Sequence, residues 1–146
     1  MACALITGIT GQDGWYLSNF LLQRGYDVHG VVRRVSNVQQ SRLQQLRDVA
    51  TLHPGDMLDA ASLRRVVEQV QPDEVYNLAA QSSVGDSWHQ AELTSNINYL
   101  GTLRLLEACR AARPNVKFYQ ASTSELFGNA AAPQNENTVF QPCSPY

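Results

Sequence analysis

Apolar residues fall along this chain in short continuous runs that alternate with longer stretches of helical period. The first run, ACALIT, has strand length and almost no polar interruption, as expected of a strand buried on both faces. After a glycine-rich turn, Leu17, Phe20 and Leu21 recur at i, i+3 and i+4 up to Gly25, which predicts a helix with one face on the sheet and a glycine stop. DVHGVVR is a second, β-branched run; SNVQQSRLQQLRD is polar and weakly helical; ATLHPGD reads as a short third strand. Leu63, Val66, Val67 and Val70 then make one apolar stripe of a helix that Asp59 is placed to cap. PDEVYNLAA, TSNINYLGTLRLLEACRAA and NVKFYQAS give a fourth strand, a long helix and a fifth strand.

Strands alternating with helices imply βαβ units, hence an α/β fold with a doubly wound parallel sheet of the Rossmann type. Gly101, inside the long helix, predicts a close approach of that helix to the sheet. From Gly128 onward the proline- and amide-rich NAAAPQNENTVFQPCSPY reads as loop. An open sheet of this type usually has a sixth strand and a cover over its ligand crevice. The expectation is therefore a fragment of a longer chain, cut before the last strands and a substrate domain.

The 146 residues and 44% apolar content suffice for one domain with a real core. Eleven basic against 13 acidic residues give a net charge of −2, without the basic footprint of a nucleic-acid binder. Cys3, Cys109 and Cys143 are odd in number and far apart, and neither CxxC nor His/Cys ligand spacing occurs. A disulfide framework and a metal site are not expected. With no membrane-length apolar run and no signal-peptide pattern, the expected setting is a reducing cytoplasm.

Chemistry enters with ITGITGQDGWYL, where Gly8, Gly11 and Gly14 follow a predicted strand and open a predicted helix. That context suits a dinucleotide cradle, although a tight turn without a ligand would use the same glycines. After the second strand, where an acid would hold a ribose 2′-hydroxyl, stand Arg33 and Arg34, and no Asp or Glu occurs between Asp27 and Asp48. NADP is favoured over NAD, the alternative being a solvated arginine pair. Asp56 is placed either to accept from an adenine amino group or to cap the next helix. Small residues in NLAAQS leave room at the carboxyl edge of the fourth strand. ASTSELFG ends the fifth strand with Ser122, Thr123, Ser124 and Glu125 as chemical candidates. A hydrolase would need GxSxG and a histidine partner, which are not visible.

Taken together, TGITGQDGWYL, VVRR, VQPDEVYNLAAQS, GTLRLLEA, FYQASTSELFG and SPY resemble the GDP-mannose 4,6-dehydratase family, within the extended short-chain dehydrogenase/reductase superfamily, from Leu5 to Tyr146. The resemblance implies conversion of GDP-mannose to GDP-4-dehydro-6-deoxy-mannose with a tightly held NADP. It makes Tyr146 the tyrosine that takes the sugar O4 proton, Thr123 its hydrogen-bonding neighbour and Glu125 the acid/base at C5 and C6. Cofactor contacts would fall on Gly8, Ile9, Thr10, Gly11, Gln12, Asp13 and Gly14; on Arg33, Arg34 and Ser36; on Asp56 and Met57; and on Leu78, Ala79, Ala80, Gln81 and Ser82. The family's lysine four positions after Tyr146 and its substrate domain lie past residue 146, so these 146 residues alone are expected not to turn over. The longer form is expected to be a homo-oligomer.

Leu93, in place of a tyrosine, Cys143, in place of an arginine, and the segment after Arg34 depart from the family pattern. Another NADP-dependent sugar-nucleotide dehydratase or epimerase, and a noncatalytic truncated nucleotide-binding module, are the alternatives.

Overall fold

A computed structural model describes residues 1–33, 46 and 49–146. Its five strands, β1 (Cys3–Thr7), β2 (Asp27–Val32), β3 (Thr51–Pro54), β4 (Glu74–Asn77) and β5 (Lys117–Gln120), form one sheet in the order β3-β2-β1-β4-β5. All four pairings are parallel. The chain steps outward from β1 to β3, returns to the other side of β1, and steps outward again. That reversal opens a crevice at the carboxyl ends of β1 and β4.

Central β1 is apolar throughout because helices cover both its faces, and Ala4, Leu5 and Ile6 have no exposed surface. Successive side chains point to opposite faces, so the sheet has two cores. On one side α1 (Gln12–Gln23) brings Leu21 over Ala4, Ile6 and Val28, with Leu46 in the same cluster. On the other, α2 (Ala60–Val70) and α5 (Gly101–Ala112) set Leu63, Val66, Val67 and Leu105 against Leu5, Val31 and Val75. Asp59 caps α2 as expected, accepting from Ala61 N at 3.0 Å and Ser62 N at 3.3 Å. Gly25 ends α1 with φ +75°, a conformation that only glycine adopts freely.

Several expectations change in detail. Phe20 does not pack on the sheet: it is half exposed, and the Arg24 guanidinium covers its ring 3.5 Å from the centroid. The fourth strand stops at Asn77 because the Leu78 and Ala79 amides donate to Thr7 Oγ1 (3.2 and 3.1 Å). A short helix α3 (Val84–Ser87) follows, and the expected long helix is assembled from α4 (Ala91–Ser95), a π-helical turn (Asn96–Leu100) and α5.

Within that turn the Asn96 carbonyl accepts from Gly101 N and also from the Arg104 guanidinium at 3.0 Å. The partner of Gly101 is not a strand: an added Cβ would meet Met57 Cβ at 2.9 Å, in the segment after β3. The polar stretch from Ser36 to Asp48 lies outside the described residues apart from Leu46, which is fully buried. After a 3₁₀ turn (Ser124–Leu126) the chain runs without helix or strand. Gln141 N bonds to Leu126 O at 2.9 Å and Phe140 packs edge-on to Phe127, which folds this loop back onto the 3₁₀ turn.

Candidate functional site

The glycine turn between β1 and α1 divides its three glycines by role. Gly8 has φ +69°, and a Cβ there would fall 2.8 Å from Ala79 N, so the turn requires it. Gly14 lies in the first turn of α1, where a Cβ would overlap Gly8 O and stand 2.6 Å from Ile9 Cα; its absence lets the helix start directly on the loop. Gly11 alone faces outward, with only Gly8 O within reach of an added Cβ at 3.2 Å. It is the N-cap of α1 and supplies no side-chain cap, so the positive end of a 12-residue helix opens onto solvent.

Beside Gly11 lies a cavity of about 430 Å³ across the carboxyl ends of β1 to β4. It gathers Gly8, Thr10 and Gly11 from the turn, Arg33 from the end of β2, Asp56 and Met57 from beyond β3, and Leu78, Ala79, Ala80, Gln81 and Ser82 from beyond β4. Four expected contacts are not in its wall. Ile9 is fully buried, its side chain lying where a Cβ on Gly30 would be; Gly14 is buried in α1; Gln12 and Asp13 are exposed on the first turn. Arg34 and Ser36 lie outside the described residues.

Asp56 is not a helix cap, since Asp59 holds that place. Its Oδ1 accepts from Leu58 N at 3.0 Å and its amide donates to Ser62 Oγ at 3.1 Å, which fixes the carboxylate at the cavity rim. The Gln81 backbone is held at both ends by the Asn98 amide, with N–H to Oδ1 at 2.9 Å and Nδ2 to the carbonyl at 3.1 Å. Its side-chain Oε1 is buried without a hydrogen-bond partner among the described residues. A buried acceptor left open in a cavity wall is costly unless something binds there.

A second cavity of the same size, about 430 Å³, shares Ala79 and Ala80 with the first. Ser122, Thr123 and Tyr146 line it, together with Thr102 and Gln120. Ser122 has φ +57°, unusual for a residue with a side chain, and this bend carries the chain from β5 into the 3₁₀ turn. Thr123 Oγ1 accepts from Glu125 N at 3.0 Å, which uses a lone pair and leaves its proton to donate. Thr123 and Tyr146 are thus brought to one cavity, whereas Glu125 is exposed and outside both linings.

A profile of the family described as GDP-mannose 4,6 dehydratase matches residues 5–146. The chain belongs to the GDP-mannose 4,6-dehydratase family. It is 48% identical to GDP-mannose 4,6 dehydratase 1 of Arabidopsis thaliana, over 98% of this chain and 43% of that protein. Against GDP-mannose 4,6-dehydratase of Vibrio cholerae the identity is 52%, over 98% and 41%. The chain therefore spans about two fifths of the length of these relatives. Among solved structures, UDP-glucose 4-epimerase from Brucella ovis in complex with NAD superposes with a TM-score of 0.87 at 27% identity, covering 100% of this chain and 43% of that one.

Residues that sequence reasoning passed over complete the site of this family member. Thr7, Val31, Val32, Gly55 and Ile97 also line the first cavity, as does Leu93, noted only as a departure from the family pattern. Thr7 and Asn77 are almost wholly buried polar residues that close β1 and β4. A polar residue closing an apolar strand was the available signal for both.

Proposed function

We propose that this chain is the NADP-holding unit, residues 1–146, of a GDP-mannose 4,6-dehydratase that acts on GDP-mannose in the cytoplasm. The observation that carries this reading is the convergence of the glycine turn, Arg33, Asp56 and the small residues after β4 on one cavity, in a chain about half identical to curated members of the family.

The residues fit a dinucleotide. The uncapped start of α1 beside Gly11 offers backbone amides to a pyrophosphate, and the open Gln81 Oε1 offers an acceptor. Arg33 suits a ribose 2′-phosphate better than a bare hydroxyl, and Asp56 suits an adenine amino group. When bound, the nicotinamide supplies reversible hydride acceptance.

The chain's own residues manage the protons. Tyr146 takes the proton from the sugar O4 as C4 is oxidised, and Thr123 donates a hydrogen bond to that oxygen. To Glu125, which stands exposed in the 3₁₀ turn beside Thr123, the family resemblance gives removal of the C5 proton, acidified by the new carbonyl, and protonation of the C6 hydroxyl as it leaves as water. The overall conversion would be the loss of one water with no net redox, the bound nicotinamide accepting and returning the hydride. The complete enzyme works as a homo-oligomer, a statement supported by the family resemblance alone. Among the described residues no helix is long and apolar enough to cross a membrane.

The test is incubation of the complete gene product with GDP-mannose, the sugar product being followed by NMR. Formation of the 4-dehydro-6-deoxy sugar is expected. Conversion of UDP- or dTDP-sugars alone would overturn the substrate, and failure to bind any nicotinamide dinucleotide would overturn the site.

A further inference from the structure

At the amino ends of β1 and β2, the end of the sheet opposite the glycine turn, three side chains from two strands meet. The parallel register sets Cys3 opposite Asp27, and the two-residue period of β2 places His29 on the same face as Asp27. One ligand atom from each of Cys3, Asp27 and His29 lies within 4.8 Å of the other two. His29 Nε2 stands 3.2 Å from Asp27 Oδ2, close to the separation of two ligands that each sit about 2.0–2.2 Å from one tetrahedral ion.

Behind this trio the other ring nitrogen of His29, Nδ1, is 2.9 Å from His53 Nε2, and the two rings stack with centroids 5.1 Å apart. Metal-ligating imidazoles are held by a hydrogen bond on their second ring nitrogen, most often to a carboxylate, a carbonyl or water; here the His53 ring nitrogen takes that place. His53 lies on β3 and is itself buried. Asp73, the other carboxylate nearby, is already engaged: it accepts from Cys3 N at 3.0 Å and from Arg113 at 2.9 Å. None of the three residues lines either cavity described above.

The geometry points to a divalent-cation site of zinc type, in which the Cys3 thiolate, the Asp27 carboxylate and His29 Nε2 are the protein ligands and water takes the fourth position. The ion occupies the place of the proton that Nε2 shares with Asp27. A thiolate together with an imidazole selects zinc over magnesium or calcium, which prefer all-oxygen sites. Placed far from the nucleotide cavity, the ion acts as a clamp on the start of the two central strands. The proposal is independent of the dehydratase reading.

Cobalt(II) titration of the purified protein tests it through the thiolate-to-metal absorption band. The band is expected in the unsubstituted protein and in Cys143→Ser, and is expected to vanish in Cys3→Ser. His53→Phe is expected to weaken binding by about 10- to 100-fold. Zinc should also raise the melting temperature, EDTA should reverse the rise, and Cys3→Ser should abolish it. No band in the unsubstituted protein, a band that persists in Cys3→Ser, or one lost in Cys143→Ser overturns the site. Should Cys3→Ser fail to fold, unchanged zinc affinity in Asp27→Asn overturns it equally.

Discussion

Thr7 donates its hydroxyl proton to Asn77 Oδ1 across 2.5 Å, tying together the ends of β1 and β4. The same Thr7 oxygen accepts from Leu78 N and Ala79 N, and Asn77 Nδ2 passes the network on to Thr102 and Gln120. Thr7→Val keeps the shape but leaves buried partners unsatisfied, each at about 1–3 kcal/mol. Its urea midpoint should fall clearly, whereas Thr7→Ser, which loses one methyl, should cost about 1 kcal/mol. Equal stability of the valine variant and the unsubstituted protein would show that the network holds nothing together.

The glycine turn separates folding from binding. Gly14→Ala forces a carbon into Gly8 O and the Ile9 backbone, which cannot move aside. Overpacking of this kind costs about 1–3 kcal/mol or more, and each kcal/mol lowers the melting temperature by roughly 2–4 °C in a domain of this size. Gly11→Ala, with φ −71° and one neighbour at 3.2 Å, should melt within a few degrees of the parent yet lose dinucleotide affinity. Calorimetry and cofactor titration of the two variants give opposite patterns, and a Gly11→Ala protein that binds normally would remove this glycine from the cradle.

Arg33 is exposed at the mouth of the first cavity. If it meets a 2′-phosphate, Arg33→Ala loses a charge-assisted contact of about 1.5–3 kcal/mol, roughly 10- to 100-fold in affinity for NADP. NAD, which lacks that phosphate, should bind almost as before. Fluorescence titration with both cofactors decides the matter, because equal losses contradict the assignment.

One buried and one partly buried group make the fold sensitive to alkali. Burial pushes the Cys109 thiol up to about 11, and burial together with the hydrogen bond to Glu74 pushes the Tyr76 hydroxyl up to about 12. In the unfolded chain they ionise earlier, near 9.0 and 10.0. Both folded values are raised, so the stability they contribute is full below pH 9 and is lost as pH climbs through 11 and 12. Urea midpoints should decline over that range, and Cys109→Ala should flatten the part of the slope between pH 9 and 11. A midpoint unchanged from pH 8 to pH 11 would contradict the burial argument.

What could be read from the chain follows the range over which its determinants act. The apolar run of β1, the Leu63-Val66-Val67 stripe, the Asp59 cap and the glycine turn depend on neighbours within a turn or two, and their patterns named them directly. The partner of Gly101 is Met57, 44 residues away, and periodicity carries no record of such a meeting. Phe20 had the spacing of a core residue, but a neighbouring guanidinium covers it instead. Asp27 and His29 are two residues apart on one strand, but Cys3 lies 24 residues before Asp27, and strand register, not sequence interval, brings it to them. The cavity residues were legible where they are glycines, arginines or small residues at strand ends. They were missed where an ordinary valine or isoleucine serves as wall, and at Thr7 and Gly55, which lie outside the glycine turn.

Ala79 and Ala80 belong to both cavities. The side chains the pair offers to both cavities are methyl groups, and Gly8, with no side chain at all, lies against the Ala79 backbone. Any larger residue in the pair would widen the gap between what sits in one chamber and what sits in the other. Transfer between bound groups falls away steeply with such misplacement. Two methyl side chains therefore set a length scale, and a single added carbon is the unit in which that scale would be lost.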